Sequence, residues 1–233
     1  MLYNHAAFYT SVPDFPQALS FVDQVDDVVA RFGVGRYLVP ARALRALVGC
    51  LQGDLSSARA VMAPLDEVVL HGYEALFRAM TWGHIGVAAG DHDSVIAALD
   101  AVSTSVDAEF GIEAAMLRAD ALAWKRDFDA ARVAVDQGRE VARRNDTYWH
   151  GWLTMVALRV EADIAVAATE AKALDAVEGA QARAASMLDD WNVAVARLRY
   201  RHPLVVAYSR ACDAGMARLR GENVAEAAVA AAE

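Results

Sequence analysis

The residues that could do chemistry in this chain are few, and a metal site is the first arrangement to consider. His84, Asp91, His92 and Asp93 offer nitrogen and oxygen ligands within one short stretch. Zinc sites on helices usually place their ligands at a fixed spacing, such as His-Glu-x-x-His, and no such pair occurs here. His92 and Asp93 instead occupy positions that open a helix, where side chains satisfy backbone groups. We therefore expect no metal and no cofactor.

Motifs for nucleophilic catalysis and nucleotide binding are also missing from the sequence. No Ser lies in a Gly-x-Ser-x-Gly turn, and there is no Gly-x4-Gly-Lys-[Ser/Thr] phosphate loop. The stretch 33–35, Gly-Val-Gly, has the outline of a dinucleotide loop, but it follows a helical stretch and lacks the third Gly, which is typical of a helix end. Cys50 and Cys212 lie far apart in helical stretches, which predicts buried free thiols. The sequence predicts a protein that is not an enzyme.

Composition and charge disfavour two further classes of protein, those that bind nucleic acid directly and those that span a membrane. The chain of 233 residues is 56% hydrophobic and carries a net charge of −9, which disfavours direct binding to nucleic-acid phosphates. Charged residues interrupt every apolar run well before the roughly 20 residues that span a bilayer, and the first residues lack the pattern of a signal peptide. We expect a soluble, cytoplasmic protein. The preference for Arg over Lys, with abundant Ala and Val, indicates a bacterial origin of high GC content.

A six-residue turn that recurs along the chain organises the elements. Gly53–Ala58 has the sequence Gly-Asp-Leu-Ser-Ser-Ala, and Pro13–Ala18, Gly90–Val95 and Arg126–Ala131 have the same outline. Their aspartates at positions 14, 54, 91 and 127 are spaced by 36 to 40 residues. An Asp before a helical run is an N-cap, since its carboxylate accepts a hydrogen bond from an unpaired backbone N–H. Repetition at this spacing predicts stacked helical pairs.

Small residues flank each turn at fixed distances. Eight residues before the aspartates stand Ala6, Ala46, Gly83 and Ala119, and four residues after them stand Ala18, Ala58, Val95 and Ala131. Two antiparallel helices approach closely only where small residues face each other, so both positions are predicted packing contacts.

This pattern resembles the tetratricopeptide (TPR) repeat over about residues 1–144, and more loosely over 147–233. The resemblance implies an all-α, TPR-like α-solenoid of about five or six stacked antiparallel pairs. The period exceeds the family's usual ~34 residues, and the family's large early aromatic and closing Pro are missing. We expect one helical-repeat domain over 1–233, with regular pairs in 1–144 and more divergent pairs in 145–233. The last apolar stretch lacks the polar face of a capping helix, so we expect a chain truncated at its C-terminus.

Helix-favouring stretches between Gly and Pro give the predicted boundaries. The residues at 145–147 are expected to cap a helix that begins near Trp149. Pro64 is expected to kink or interrupt the helix that contains it. Residues 189–191 are expected to begin an irregular or helical stretch. The join at 167–171 shows no capping turn. The remaining helices are predicted at 2–11, 16–32, 37–52, 55–70, 72–89, 92–104, 110–125, 128–144, 172–188, 204–220 and 224–233.

The repeat also predicts a binding groove. In tetratricopeptide proteins the first helix of each pair lines a concave surface that holds peptide segments, and counting back eleven, seven and three residues from each Asp gives its lining. The selected residues are Met80, His84, Met116, Asp120 and Trp124. They would form an adaptable, partly apolar groove; the alternative is that they pack against the neighbouring repeat.

Two further clusters of residues could each be either a binding site or an ordinary structural feature. Tyr148, Trp149 and Trp152 could form an aromatic binding site or simply pack at the start of a helix. The basic residues Arg197, Arg199, Arg201 and His202 could be a solvated face or an intramolecular contact, with anion or partner binding as the alternative.

A second resemblance concerns context. The segment 149–163, WHGWLTMVALRVEAD, and the segment 217–222, ARLRGE, are similar to the helical-repeat region of large bacterial LuxR-type regulators. In that family an ATPase module precedes the repeats and a helix-turn-helix domain follows them, and neither is present here. The resemblance implies a signal-sensing, protein-interaction region of a transcriptional regulator, with a protein, peptide or small-molecule effector as partner. The alternatives are a stand-alone adaptor that binds a peptide in its groove and, third, an α-helical enzyme. Exposed apolar ends of a truncated solenoid would favour a homodimer.

Overall fold

The structure is all-α throughout the part that it describes. The computed structural model describes residues 1–33, 35–102, 108–144, 149–198 and 203–222, and it contains no strand there. The α-helices of these residues are α1 Leu2–Ser11, α2 Phe15–Phe32, α3 Leu38–Leu51, α4 Leu55–Met62, α5 Gly72–Ala89, α6 His92–Asp100, α7 Ala108–Trp124, α8 Phe128–Arg144, α9 Trp149–Glu170, α10 Leu174–Arg197 and α11 Pro203–Leu219. The predicted fold class, all-α, is confirmed.

The chain divides into two compact units, Met1–Thr104 and Ser105–Glu233. In unit 1, α1 packs on α2, α3 on α4 and α5 on α6, while α3 also contacts α1 and α5. In unit 2, α7 packs on α8 and α9 on α10, while α9 also contacts α7 and α11. Within each unit, the first helices of successive pairs therefore contact one another. The prediction of one domain over 1–233 stays a prediction.

The turn inside each pair is closed by one backbone hydrogen bond. The turns between paired helices contain only two or three residues, which gives an αα-hairpin. In every such turn the N–H of one residue donates to the carbonyl oxygen five residues earlier, which closes the C-terminal end of the first helix. These bonds are Asp14 to Tyr9 (2.9 Å), Asp54 to Gly49 (2.8 Å), Asp91 to Gly86 (2.8 Å), Asp127 to Leu122 (3.0 Å) and Ala173 to Ala168 (2.9 Å), and after α11 Glu222 donates to Ala217 (3.0 Å).

The four aspartates of the turns cap the second helices, as their position in the sequence predicts. Each carboxylate accepts a hydrogen bond from the backbone N–H three residues later, at 3.0 Å for Asp54 and 3.3 Å for Asp14, Asp91 and Asp127. The Ser57 hydroxyl and backbone N–H lower the pKa of Asp54. The hydroxyl and N–H of Ser94 lower the pKa of Asp91 in the same way, because hydrogen bonds to a carboxylate favour its ionised form.

The predicted small residues are all packing positions. Ala6, Ala18, Ala46, Ala58, Val95, Ala119 and Ala131 are at most 1% exposed, and Gly83 is buried. The approach at the turn itself is also close, since a Cβ built on Gly49 would lie 3.3 Å from the carbonyl oxygen of Asp54. Backbone of the first helix therefore contacts the turn directly.

The structure corrects the sequence analysis beyond residue 167. A turn of the same geometry does exist there, with Lys172 in the left-handed conformation (φ 58°) and Ala173 in the place of the Asp. Residues 189–191 lie inside α10, which runs from Leu174 to Arg197. These residues are helical, one of the two predicted states, but no element begins there. Asp189 is exposed and the Asp190 carboxylate pairs with Arg139 and Arg143 of α8, so one long helix accommodates both acidic residues.

Other boundaries differ less. As predicted, Pro64 interrupts its helix: α4 ends at Met62 and a short 3₁₀ turn, Ala63–Leu65, follows. α6 ends at Asp100, before the predicted end at 104. After α11, Gly221 has φ 71° and precedes the Glu222 N–H that donates to the Ala217 carbonyl oxygen. The predicted cap at 145–147 and the predicted helix at 224–233 lie outside the described residues.

We predict that Gly86→Ala destabilises the protein because its Cβ would lie 2.5 Å from Val95 Cγ2 and 3.1 Å from the Asp91 carbonyl oxygen. Overpacking of this kind costs about 1–3 kcal/mol, which urea unfolding measures. Gly179→Ala on α10 is the matched control, since nothing lies within 4 Å of its Cβ. It should stabilise the helix by about 1 kcal/mol. Equal effects of the two substitutions would contradict the close approach.

The capping role of Asp127 gives a second prediction. Asp127→Ala removes the acceptor of the Ala130 N–H and should lower the free energy of unfolding by about 1 kcal/mol. Asp127→Asn keeps an acceptor and should cost only a small part of this. If Ala and Asn variants unfold at the same urea concentration, the side chain does not cap α8.

Candidate functional site

The five predicted groove residues fall into both units. Met80 and His84 lie on α5 of unit 1, and Met116, Asp120 and Trp124 lie on α7 of unit 2. Met80 and Met116 are each 2% exposed and His84 is 8% exposed, so these three side chains are core positions in this conformation. Only Asp120 and Trp124 retain contact with solvent. A groove formed by all five stays a prediction.

Asp120 and Trp124 do lie together, and Arg159 of α9 joins them. The Arg159 guanidinium donates a hydrogen bond to the Asp120 carboxylate and lies over the Trp124 ring, 5.9 Å from its centroid. Trp124 is 64% exposed, although a Trp on a folded protein is usually mostly buried. We name Asp120, Trp124 and Arg159 the Trp124 surface. It combines an exposed indole with a cation held beside it by a carboxylate.

A second charged side chain of α9, Asp163, connects this helix to α11, the first helix of the following pair. Asp163 lies one turn after Arg159 on α9, and it accepts a hydrogen bond of 2.6 Å from Arg218 of α11. Arg159 and Asp163 thus extend from neighbouring turns of α9 to α7 and α11. Counting positions from the turn aspartates does not reach these residues, because the turn after α9 has Ala173 instead. The i,i+4 spacing of Arg159 and Asp163, which places both on one face of the helix, was the available signal.

A buried carboxylate connects α8, α9 and α10. Glu161 of α9 is 1% exposed. Its Oε1 accepts hydrogen bonds of 3.0 Å from Nε of Arg132 on α8 and from Nε of Arg183 on α10, and its Oε2 accepts another from Arg132. Burial of an unpaired carboxylate is costly, so these two arginines make the position of Glu161 possible.

The ion pairs extend from Glu161 to the surface. Arg183 also donates to both carboxylate oxygens of Asp136, at 3.0 and 3.2 Å. Asp190 of α10 accepts from Arg139 and, at 2.9 Å, from Arg143. Partial burial would raise the pKa of Asp190, but these two hydrogen bonds outweigh it and lower the pKa. The charge network consists of Arg132, Asp136, Arg139, Arg143, Glu161, Arg183 and Asp190.

The aromatic and basic clusters are only partly described. The rings of Trp149 and Trp152 stack with centroids 5.6 Å apart and an interplanar angle of 20°, and both residues are half-buried. Tyr148 lies outside the described residues. Arg197 is exposed at the end of α10, and Arg199, Arg201 and His202 lie outside the described residues.

Neither a disulfide nor a cluster of metal ligands is found in the part of the chain that the structure describes. Cys50 and Cys212 are both free, and burial raises the pKa of Cys50 to about 11 and that of Cys212 to about 12. At neutral pH both are therefore thiols, the unreactive form. Among the described residues, no three His, Cys, Asp or Glu side chains come close enough to hold a metal ion. In the same part of the chain, no helix is long and apolar enough to cross a membrane.

No protein-family model matches the chain, and comparison with curated proteins and with solved structures finds no significant match. The geometry of the chain's own residues therefore carries the functional proposal.

The buried carboxylate provides a test of the charge network. Glu161→Gln should lower the free energy of unfolding by about 3 kcal/mol, since it removes the counter-charge of the partly buried Arg132 and leaves Arg183 with Asp136 alone. Glu170→Gln, at the exposed end of the same helix, should change it by less than about 0.5 kcal/mol. Urea unfolding of both variants measures the difference. Equal free energies of unfolding would show that the ion pairs of Glu161 do not stabilise the fold.

Proposed function

We propose that this chain is a non-catalytic helical-repeat region that binds a protein or peptide partner, with the stacked pairs arranged as a TPR-like α-solenoid. The observation that carries the proposal is the recurrence of one turn geometry. The same hydrogen bond closes α1, α3, α5, α7, α9 and α11, and repeated αα-hairpins that contact through their first helices are the building plan of helical-repeat binding proteins. Such proteins use extended surfaces rather than deep catalytic pockets.

The proposed partner surface is the Trp124 surface. Trp and Arg are the residues most enriched among those that dominate binding energy at interfaces, and here they lie side by side at an exposed position. The Arg159 guanidinium uses one hydrogen bond on Asp120 and has further donors for a partner's carbonyl or carboxylate oxygens. Because Asp120 and the Trp124 ring already orient Arg159, binding would cost little side-chain entropy.

The non-catalytic part of the proposal rests on how the polar groups of unit 2 are used. The charged side chains that come together there, in the charge network and at the Trp124 surface, pair with one another. A general acid or base needs a group that can exchange a proton with a substrate. Carboxylates whose oxygens are already bound by arginines serve this purpose poorly.

For context, the resemblance to LuxR-type regulators leads us to propose a sensing region in a cytoplasmic transcriptional regulator. A partner that prefers one arrangement of the helical pairs would shift the population of states available to an attached module. The other candidate is a stand-alone adaptor that binds a peptide through the same surface. The two differ in whether the native reading frame continues past Glu233 into a basic helix-turn-helix segment.

The experiment selects peptides from a random display library on the purified chain and measures their affinity by calorimetry. Trp124→Ala and Arg159→Ala should each weaken the selected peptides by at least about tenfold, because each removes a central contact. Arg210→Ala, at an exposed position of α11, is the control and should bind as the unchanged protein does. Circular dichroism confirms that each variant is folded. Peptides that bind all three variants equally well would exclude the Trp124 surface.

A further inference from the structure

Unit 1 contains an open cleft that the proposed partner surface does not use. It lies between α4, α5 and α6 and has a volume of about 340 Å³, at the lower end of the range for small-molecule pockets. Ile85 and Ala98 contribute apolar surface to it. Its polar lining consists of Arg59, Asp66, Trp82, Asp91 and Ser94. A cation, two carboxylates and an indole thus line one small volume.

The acidic side of the cleft is held in place by the protein. The indole Nε1–H of Trp82 donates a hydrogen bond of 3.0 Å to Asp66 Oδ1, which orients both side chains. Asp91 is fixed as the N-cap of α6, and its lowered pKa keeps it ionised at neutral pH. An organised carboxylate beside an aromatic ring is the arrangement that proteins use to bind organic ammonium groups.

Arg59 supplies the opposite charge, which acts through space on Asp91 and contributes to the lowered pKa of that carboxyl. In the described part of the chain, no carboxylate forms an ion pair with its guanidinium. Two other arginines of unit 1 differ in this respect, since Arg45 pairs with Asp23 and Asp26 and Arg78 donates to two backbone carbonyls. The donors of Arg59 are therefore free for a carboxylate from outside, which a guanidinium can bind through two hydrogen bonds.

We propose that this cleft is a binding site for a small zwitterion of the amino-acid class, with its carboxylate on Arg59 and its ammonium group beside Asp66 and Trp82. Ala98 provides the apolar contact for a short side chain, since Ile85 is only 1% exposed. The single cation and the two carboxylates of the cleft match a ligand that carries both charges better than they match a simple anion. In a sensing region, such a ligand would be the small-molecule effector.

The proposal is independent of the partner surface. The cleft lies in unit 1 and the Trp124 surface lies in unit 2, and no residue belongs to both. Failure of amino-acid binding would leave the peptide experiment unaffected, and the reverse also holds.

Calorimetric titration with L-leucine, L-glutamate and L-lysine tests the site, with acetate and butylamine as probes that carry one charge each. We expect at least one amino acid to bind, and acetate and butylamine to bind at least about tenfold more weakly, since each forms only one of the two charged contacts. Arg59→Ala should weaken the amino acid by at least about tenfold, and Ala98→Phe should abolish binding by filling the cleft.

Arg31→Ala, which changes an exposed arginine on α2, is the matched control and should bind as the unchanged protein does. Thermal unfolding of every variant checks that it is folded. The proposal is overturned if no amino acid binds the unchanged protein, or if Arg59→Ala and Ala98→Phe bind the amino acid as tightly as Arg31→Ala does. It is also overturned if butylamine alone binds as tightly as the amino acids.

Discussion

The rest of the structure depends on the backbone hydrogen bond that closes the first helix of each pair. An amide donates to a carbonyl five residues earlier, and the residue before that amide is left-handed at Gly53, Gly90, Arg126, Lys172 and Gly221. This geometry ends one helix and sets the direction in which the next begins. It brings the two backbones close together, so that the residues eight positions before and four positions after the turn aspartates are buried, and seven of these eight positions hold Ala or Gly. Pairing, and then contact between successive first helices, follow from it.

The sequence predicts this part of the fold well because the turn leaves local marks. The aspartates stand at 14, 54, 91 and 127, and the small residues stand eight positions before and four positions after them. Both lie close in sequence to the hydrogen bond that they support, so their spacing is enough to find it. The turn at Ala173 has no such mark, because a backbone hydrogen bond needs no particular side chain. The opposite case occurs at 189–191. Two acidic residues there resemble a capping turn, but they lie inside the continuous helix α10.

The candidate sites are less predictable from sequence, and the residues show why. Periodicity places Met80 and Met116 on their helices, but their burial depends on helices from distant parts of the chain. Arg159 reaches Asp120 across 39 positions, and Arg183 reaches Asp136 across 47. The cleft around Arg59 likewise depends on three helices and on Trp82 finding Asp66. Contacts of this kind are set by packing, which local patterns do not describe. What the repeat supplies is a framework on which such side chains are displayed.

The buried Glu161 has a consequence for how unit 2 opens and closes. Helical repeats commonly behave as one-dimensional arrays in which each pair can separate from its neighbour. Here the carboxylate of α9 takes one arginine from α8 and one from α10, and Arg183 of α10 also reaches Asp136 of α8. Separation of either pair would leave a charge without its partner in a dry environment, which is costly. We therefore expect the pairs α7–α8 and α9–α10 to open as one cooperative unit, with amide hydrogens that exchange together rather than pair by pair.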